Sequence, residues 1–345
     1  MAESAEETFM RAALAEARKG IGRVSPNPAV GAVLVRRNRI IATGYHRASG
    51  LPHAEIECLA AAPAESLRSA ALYVTLEPCS TTGRTPPCTN AIVRAGVSRV
   101  VIGATDPNPR HRGRGIRELM NAGVEVTSGV LAPECSQLNE AFNKWIATGR
   151  PFVIAKCGMS LDGRLTRRPE EGRWMTGPAA RRHAMALRAQ VDAILIGAET
   201  LRQDNPRLTI RGLPGARQPW RVVLSRAGKL PRSAHLFADR FAARTLVYRK
   251  KKLARVLAEL GRREITSVLL EGGGEVLGQA FDGQLVDKVQ FYLAPLFTGG
   301  PVPAVAGKGA ASTVAGAHLA KVHFEKVGRD LVVTGYPKWA EKTVE

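Results

Sequence analysis

The chain has 345 residues, 45% of them hydrophobic, and carries a formal net charge of +20. This length favours two domains over one. No apolar run is long enough to cross a bilayer, which excludes a membrane-spanning helix, and we expect no signal peptide because segment 1–7 is acidic and lacks an apolar core. The five cysteines are too few and too irregularly spaced for a disulfide framework, so we expect a cytoplasmic protein.

The first half alternates between helical and strand patterns. Segment 9–19 is predicted to be an Ala-rich helix with Phe9, Ala13 and Ala17 on one stripe, and 29–35 a buried strand that follows the polar turn at 25–28. The elements predicted after these are a strand at 40–45, a helix at 53–62, a strand at 71–75, a helix at 86–95, a strand at 97–103, a helix at 113–122, a strand at 124–127 and a helix at 139–145. This alternation predicts an open α/β sheet with helices on both faces.

One stretch of this half, 53–88, contains residues typical of a catalytic zinc site. It begins with His-Ala-Glu at 53–55, continues with Pro-Cys at 78–79 and ends at Cys88. Catalytic zinc needs three protein ligands and one open position for water, so we predict that His53, Cys79 and Cys88 bind zinc. Glu55 is then a proton shuttle and not a ligand, which is the arrangement of zinc deaminases that act on nucleobases.

The two predicted helices of this stretch bring their N-termini to the metal. His53 and Cys88 fall in their first turns, where free amide groups favour thiolate and hydroxide anions. Eight residues separate Cys79 from Cys88, where two are common. The polar insert contains Arg84 and is predicted to form a loop at the substrate.

The second half restarts after the break at 148–151, which predicts domains at 1–147 and 151–345. Its predicted strands lie at 152–157, 193–197, 221–224, 245–248, 267–270 and 287–294, and its predicted helices at 178–190, 251–259 and 275–281. The Gly-rich segment 271–274 joins a strand to a helix, which is typical of a phosphate cradle. Its spacing is not the dinucleotide fingerprint, and a plain helix-entry turn is the alternative.

The positive charge is uneven, with a net +5 for residues 1–150 and +15 for residues 151–345. An excess of this size favours nucleic-acid binding. However, aromatic residues make up only 5% of the chain, no basic stripe is interleaved with them, and the longest basic run, 249–252, opens a predicted helix. We therefore expect no nucleic-acid partner. The alternative, a nucleic-acid-binding base deaminase, predicts strongly salt-dependent binding to polynucleotides.

The motifs of both halves together resemble the bifunctional deaminase/reductase family of riboflavin biosynthesis, and the resemblance covers nearly the whole chain. In the first half it rests on Asn-Pro-Ala-Val-Gly at 27–31, Gly-Tyr-His at 44–46, His-Ala-Glu at 53–55 and the segment 75–88. In the second half it rests on Ser-Leu-Asp-Gly at 160–163, Trp-Met-Thr at 174–176, Asp-Asn-Pro at 204–206 with Leu-Thr at 208–209, and Glu-Gly-Gly at 271–273. The long spacing of the two cysteines is this family's own form.

The resemblance implies a cytidine-deaminase-like three-layer α/β/α domain followed by a dihydrofolate-reductase-like α/β domain. It implies a zinc-dependent deamination of a diaminopyrimidinone that carries a phosphoribosylamino group, and then an NADPH-dependent reduction of the ribosyl group to ribityl. The implied ligands are zinc, NADPH and a small phosphorylated pyrimidine. We also expect a homo-oligomer with no membrane partner. Anionic ligands account for part of the charge of the second half. An alternative keeps one half active and makes the other a scaffold.

The family's functional residues can be carried over by position. In the first half they are the zinc ligands His53, Cys79 and Cys88, the catalytic Glu55, and the substrate-binding Asn27, His46 and Arg84. In the second half they are the catalytic Lys156, Asp204 and Glu271, the substrate-binding Arg188, Leu208 and Arg211, and the cofactor-binding Gly158, Trp174, Thr200 and Gly273.

The chain departs from the family pattern at three places. Thr81 stands where a His is frequent, and Gly172 stands where a Ser is common. Ser225 and Arg226 stand where an Asp and a small polar residue are common; Arg226 either pairs with the extra phosphate of the cofactor or is a surface residue. These departures bear on substrate affinity and leave the zinc ligands untouched.

Overall fold

The computed structural model describes residues 4–82, 85–109, 111–165, 174–226 and 228–339. Contacts along the chain divide it into two compact units, Met1–Gly149 and Arg150–Glu345. No helix among these described residues is both long and apolar enough to cross a membrane. The independent folding of 1–147 and 151–345 stays a prediction.

The first unit contains six α-helices, one 3₁₀ helix (Ala64–Ser69) and five strands within its described residues. The helices are α1 (Ala5–Arg18), α2 (Ala54–Ala61), α3 (Cys88–Ala95), α4 (Arg114–Asn121), α5 (Ala132–Leu138) and α6 (Glu140–Thr148). The strands are β1 (Gly31–Arg36), β2 (Arg39–Tyr45), β3 (Ala71–Leu76), β4 (Arg99–Ala104) and β5 (Glu125–Ser128), in the sheet order β2-β1-β3-β4-β5. β1 is antiparallel to β2 and β3, whereas β3, β4 and β5 run parallel.

Alternate residues of these strands supply two separate hydrophobic cores, because successive side chains of a strand point to opposite faces. Leu34 lies in the core that contains Cys58 of α2 and Ile92 of α3. Its neighbour Val33 lies in the core that contains Met10 of α1 and Cys135 of α5. Helices therefore cover both faces of the sheet, and the predicted three-layer α/β/α arrangement is confirmed.

Two local features determine where α1 begins and how closely it packs against the sheet. Ser4 and Glu7 form a capping box, in which the Ser4 hydroxyl accepts from the Glu7 amide and the Glu7 carboxylate accepts from the Ser4 amide. This box starts the helix earlier than its apolar stripe suggests. Gly31 lets the helix approach closely, because a Cβ there would lie 2.1 Å from the Ala13 carbonyl oxygen.

The second unit contains one large sheet. Its strands are β6 (Phe152–Ser160), β7 (Ala193–Gly197), β8 (Trp220–Ser225), β9 (Thr245–Arg249), β10 (Ser267–Leu270), β11 (Lys288–Ala294), β12 (His318–Val327) and β13 (Asp330–Lys338), in the order β12-β13-β11-β6-β10-β7-β8-β9. Its α-helices are α7 (Pro178–Arg188), α8 (Ala198–Asp204), α9 (His235–Ala238), α10 (Leu253–Arg262) and α11 (Gly274–Asp282), and a 3₁₀ helix lies at Ala242–Arg244.

The six strands from β11 to β9 are parallel, whereas β13 alone runs in the opposite direction and pairs antiparallel with both β11 and β12. The carboxyl ends of β6, β7, β8 and β10 therefore meet at one edge of the sheet, where α/β proteins bind ligands. The α/β class predicted for this half is confirmed.

Some elements were not predicted from the sequence. α5 lacks a helical stripe long enough to be recognised, with Cys135 as its buried residue. β12 and β13 form a hairpin. Most residues of β12 are exposed, so buried and exposed positions do not alternate clearly along this strand. α8 is a helix of 7 residues between β7 and the Asn205 turn, too short for a periodic pattern.

Candidate active sites

The three predicted zinc ligands lie together. The ligand atoms of His53, Cys79 and Cys88 are all within 4.8 Å of one another. The His53 Nδ1 atom is 3.6 Å from the Cys79 Sγ atom and 3.3 Å from the Cys88 Sγ atom. His53 immediately precedes α2 and Cys88 is the first residue of α3, so two helix N-termini point at the cluster.

The chemistry of this cluster suits zinc. Its two sulfurs and one imidazole nitrogen are the donor types that zinc takes, and three protein ligands leave one position for water. A hydrogen bond from the Cys88 thiol, together with the nearby His53, holds the pKa of Cys79 well below its usual range, while the same hydrogen bond and burial raise the pKa of Cys88. The Cys88 backbone amide also donates to the Cys79 sulfur over 3.3 Å. The site therefore favours at least one thiolate before any metal binds.

Glu55 lies beside this cluster, in the first turn of α2, and only 3% of its surface is exposed. Burial, aided by the negative charge of Cys79, raises the pKa of Glu55 to about 7. A carboxyl group with a pKa near neutrality can both accept and return a proton at pH 7. This is the property that a proton shuttle needs.

Asn27 and His46 form a polar pair next to the cluster. The Asn27 side-chain amide is 3.2 Å from the His46 Nε2 atom, and the His46 Nδ1 atom is 3.0 Å from the Pro52 carbonyl oxygen. An Nδ1–H donated to Pro52 leaves Nε2 as the acceptor for Asn27. Burial lowers the pKa of His46, which favours this neutral form. The rings of His46 and His53 stand edge to face, 5.1 Å apart.

One residue to which the motif assigned no role, Glu77, supports this site. The Glu77 carboxylate is buried and accepts from the backbone amides of Asp106, Gly113, Gly115 and Ile116, at 2.9 to 3.3 Å. It thereby holds these four residues, which follow β4 in the chain, close to the backbone that leads into Cys79. Glu77 lies two residues before Cys79 and next to Pro78. This closeness to a predicted zinc ligand was the only signal in the sequence that could have identified it.

Two threonines of the insert loop lie next to imidazole rings. The Thr81 hydroxyl lies 3.4 Å from the His111 Nδ1 atom, so an imidazole stands next to the position where the family frequently has a His. The Thr85 hydroxyl lies 3.3 Å from the His53 Nε2 atom and orients that ring. Arg84 and Gly172 lie outside the described residues.

The second unit contains a cleft with a volume of about 2490 Å³ at the carboxyl edge of its sheet. Single ligand pockets are commonly about 300–1,000 Å³, so this cleft can hold a cofactor and a substrate together. All the functional residues predicted for this half line it: Lys156, Gly158, Trp174, Arg188, Thr200, Asp204, Leu208, Arg211, Glu271 and Gly273.

A charged network lies at one end of the cleft. The Arg188 Nε and Nη2 atoms donate to the two carboxylate oxygens of Glu271 at 2.6 and 2.7 Å, and the Lys156 Nζ atom is 3.7 Å from the same carboxylate. Burial acts to raise the pKa of Glu271, but the charges of Arg188 and Lys156 outweigh it and lower that pKa to about 2. Glu271 is therefore a permanent anion at neutral pH.

Tyr292 is a further cleft residue that the sequence did not single out. The Lys156 ammonium lies 5.7 Å from the centre of its ring, within cation–π range. The Tyr292 hydroxyl accepts from the Gln290 side chain at 2.8 Å and lies 3.0 Å from the His183 Nδ1 atom. Burial raises the pKa of Tyr292, so its hydroxyl stays protonated. Tyr292 pairs with Gly158 in the register of β11 and β6, two residues beyond Lys156, and this position became apparent only from the sheet register.

The Gly-rich segment 271–274 leads from β10 into α11, which begins at Gly274. The Gly273 amide donates to the Thr200 hydroxyl over 3.1 Å and so joins the start of α11 to α8. Two later glycines allow the helix to pack against 303–306, because a Cβ on Gly274 or Gly278 would lie 2.3 or 1.8 Å from a carbonyl oxygen. The glycines therefore have a packing role besides any contact with a ligand.

The two units define a class of two-site enzyme: a zinc-dependent deaminase followed by a reductase. Residues 3–104 match the model of the cytidine and deoxycytidylate deaminase zinc-binding region. Residues 151–333 match that of the RibD C-terminal domain. The chain belongs to the RibD family of riboflavin biosynthesis proteins, as its motifs predicted.

Relatives extend along almost the whole chain. The RibD protein of Synechocystis sp. is 40% identical, over 96% of this chain and 96% of its own length. The RibD protein of Escherichia coli is 37% identical, over 85% of this chain and 89% of its own length. The solved RibD structure from Acinetobacter baumannii (form 1) superposes with a TM-score of 0.89 at 32% identity, covering 97% of this chain and 99% of its own.

A solved structure from Thermotoga maritima has a TM-score of 0.87 and 35% identity, and covers 97% of this chain and 99% of its own. That protein is described as a diaminohydroxyphosphoribosylaminopyrimidine deaminase/5-amino-6-(5-phosphoribosylamino)uracil reductase. The predicted family, α/β fold and bifunctional deaminase/reductase function are therefore confirmed.

Proposed function

We propose that this chain deaminates 2,5-diamino-6-(5-phosphoribosylamino)pyrimidin-4-one and then reduces the product with NADPH to 5-amino-6-(5-phosphoribitylamino)uracil. The observation that carries this proposal is the occurrence, on one RibD-family chain, of the His53–Cys79–Cys88 cluster and a separate charged cleft. A single-site deaminase would leave that cleft without a ligand.

The deaminase residues have separate roles. When bound by His53, Cys79 and Cys88, zinc supplies a Lewis acid that lowers the pKa of a coordinated water to roughly 7. Glu55 accepts a proton from the attacking water and gives it to the leaving amine, so the ring carbon gains oxygen and ammonia departs. Asn27, His46 and Arg84 hold the pyrimidine and its phosphate. The neutral His46 favoured by burial orients Asn27 and does not compete for the proton.

The reductase residues must open a ribosylamine and favour its cationic form. When bound in the cleft, NADPH supplies a hydride to the anomeric carbon. Asp204, at the end of α8, provides negative charge near the iminium-like form of the substrate. Lys156 holds a sugar hydroxyl or transfers a proton to the ring oxygen as the sugar opens, and Glu271 fixes that ammonium in place.

The remaining cleft residues bind the two ligands. We assign Leu208 and Arg211, with Arg188, to the substrate side, and Gly158, Trp174, Thr200 and Gly273 to the cofactor side. Arg188 contributes through its pairing with Glu271. The backbone amides at the start of α11 are suited to the pyrophosphate.

The decisive experiment follows both products by mass spectrometry. Purified protein is incubated with the diaminopyrimidinone phosphate, first without and then with NADPH. We expect the deaminated ribosyl compound in the first sample and the ribityl compound in the second. An unchanged substrate in both would overturn the proposed function, and accumulation of the deaminated compound with NADPH present would support a scaffold role for the second half.

We also infer a cytoplasmic homo-oligomer made of two independently folding domains, 1–147 and 151–345. The family assignment and the division of the chain at Gly149 support the domains. Light scattering on the purified protein measures the assembly, and a strictly monomeric mass would contradict it.

A further inference from the structure

One end of the reductase cleft is formed by the turns that follow β8 and β9. These strands are parallel neighbours, and Ser225 pairs with Arg249 at their carboxyl ends. The Lys250 amide donates to the Ser225 carbonyl oxygen over 2.9 Å. Arg226 and Lys250 therefore leave adjacent strands side by side, and both line the cleft.

The backbone of this end is fixed by hydrogen bonds. The Ser225 hydroxyl is buried and accepts from the Gly228 amide at 3.1 Å. The Arg249 Nε atom donates to the Gly228 carbonyl oxygen at 3.1 Å. Ser225 thus closes the turn and directs Arg226 to the cleft. In nucleotide-binding α/β folds, a carboxylate near such a strand end reads the ribose 2′-hydroxyl of NAD, whereas an Arg accommodates the 2′-phosphate of NADP.

Arg226 is also linked to the Gly-rich segment. One of its terminal nitrogens lies 3.1 Å from the Glu275 carboxylate, on the second residue of α11. The two side chains are 79% and 75% exposed, so their attraction is screened by water and leaves the guanidinium able to bind an anion. The contact places Arg226 next to the amides predicted to hold the pyrophosphate.

We propose that Arg226, assisted by Lys250, binds the 2′-phosphate of the adenosine end of the nicotinamide cofactor and makes the enzyme prefer NADPH to NADH. This inference rests on the proposed reduction and adds the residues that select the cofactor. A guanidinium binds a phosphate through charge-assisted hydrogen bonds and can do so at two points. Lys250 adds a second positive charge from the neighbouring strand.

The test uses two small probes, adenosine 2′,5′-bisphosphate and adenosine 5′-monophosphate, titrated into the full-length protein by calorimetry. We expect the wild type to bind the bisphosphate more tightly. Arg226→Ser should weaken bisphosphate binding about 10- to 100-fold, the scale of a lost hydrogen bond between charged groups, and should leave monophosphate binding nearly unchanged. Arg226→Lys keeps the positive charge but lacks the planar guanidinium group. Its affinity for the bisphosphate should lie between those of the wild type and Arg226→Ser.

The matched control is Arg262→Ser, which removes the same charge from the exposed last turn of α10, about 15 Å along that helix from Lys252. We expect it to change neither affinity. Equal losses in both variants, or full bisphosphate affinity in Arg226→Ser, would overturn the inference.

Steady-state rates with the two reduced cofactors separate this inference from the proposed function. A selective fall in kcat/KM for NADPH in Arg226→Ser, with the value for NADH kept, supports the assignment. Equal use of NADPH and NADH by the wild type overturns the assignment and leaves the reductase function standing. Oxidation of neither cofactor overturns both.

Discussion

Arg188 and Glu271 form a two-point ion pair inside the reductase cleft, although 83 positions separate them in the sequence. Their side chains are only 13% and 8% exposed. A buried pair of this kind is costly to break from one side, because the remaining charge stays in a poorly solvated place. The pair therefore has consequences for stability as well as for the site.

Glu271→Gln should destabilise the reductase half by about 3 kcal/mol at pH 7, since it leaves Arg188 without its anion. The pKa of Glu271 is lowered from 4.5 to about 2 in the folded protein, so its contribution is present above the unfolded pKa and is lost as the pH falls from about 4.5 towards 2. Urea unfolding followed by tryptophan fluorescence measures the free energy of unfolding. The difference in this free energy between wild type and variant should become smaller as the pH falls from 7 to 3. Glu275→Gln, in an exposed pair, should stay within about 0.5 kcal/mol of the wild type; a pH-independent gap for Glu271→Gln would contradict this account.

Cys79→Ser should lose zinc and deaminase activity together, because a hydroxyl is a much poorer zinc ligand than a thiolate. Metal analysis of the purified protein should give about one zinc per chain for the wild type and far less for the variant. Cys58→Ser is the control, since Cys58 is buried in α2 and its thiol faces the Ala42 carbonyl oxygen. A Cys79→Ser protein with full zinc and full activity would show that the ligand assignment is wrong.

Glu55→Gln should keep its zinc but deaminate at least ~100-fold more slowly, the usual contribution of a general acid–base. The amide is almost the same size and cannot carry the proton. Glu57→Gln, two residues along the same helix and paired with Arg47 at the surface, should remain active. Near-normal turnover of Glu55→Gln in an ammonia-release assay would exclude Glu55 as the shuttle.

A fragment of residues 1–147 should fold and deaminate without NADPH. The first unit has its own sheet, and its two cores are formed entirely by residues of that unit. Circular dichroism and the ammonia assay provide the measurement. A soluble but unfolded fragment, at concentrations where the full chain is folded, would count against an independent domain.

Asp204→Asn should abolish NADPH oxidation and leave deamination and NADPH binding intact. The substitution removes a negative charge from the end of α8 and keeps the size of the side chain. Absorbance at about 340 nm follows oxidation of the nicotinamide cofactor with the deaminated intermediate as substrate, and a fluorescence titration follows NADPH binding. Unchanged oxidation would remove Asp204 from the mechanism, whereas lost binding would move it to the cofactor.

The sequence by itself determined the zinc cluster and the family. His53 and Glu55 are two residues apart, and Cys79 and Cys88 are nine apart. The three predicted zinc ligands and the proton shuttle of the deaminase therefore lie in one short stretch, in a recognisable order. Buried strands such as β7 and β10 were predicted at their observed bounds because continuous apolar runs specify them locally.

The tertiary structure alone decided which charges meet. Arg188 on α7 pairs with Glu271 after β10, and Lys156 on β6 lies over the ring of Tyr292 on β11. Arg226 and Lys250 become neighbours only because β8 and β9 are paired in a particular register. Contacts of this kind depend on strand order and register, which are set by packing over the whole sheet and leave no periodic signal in the local sequence.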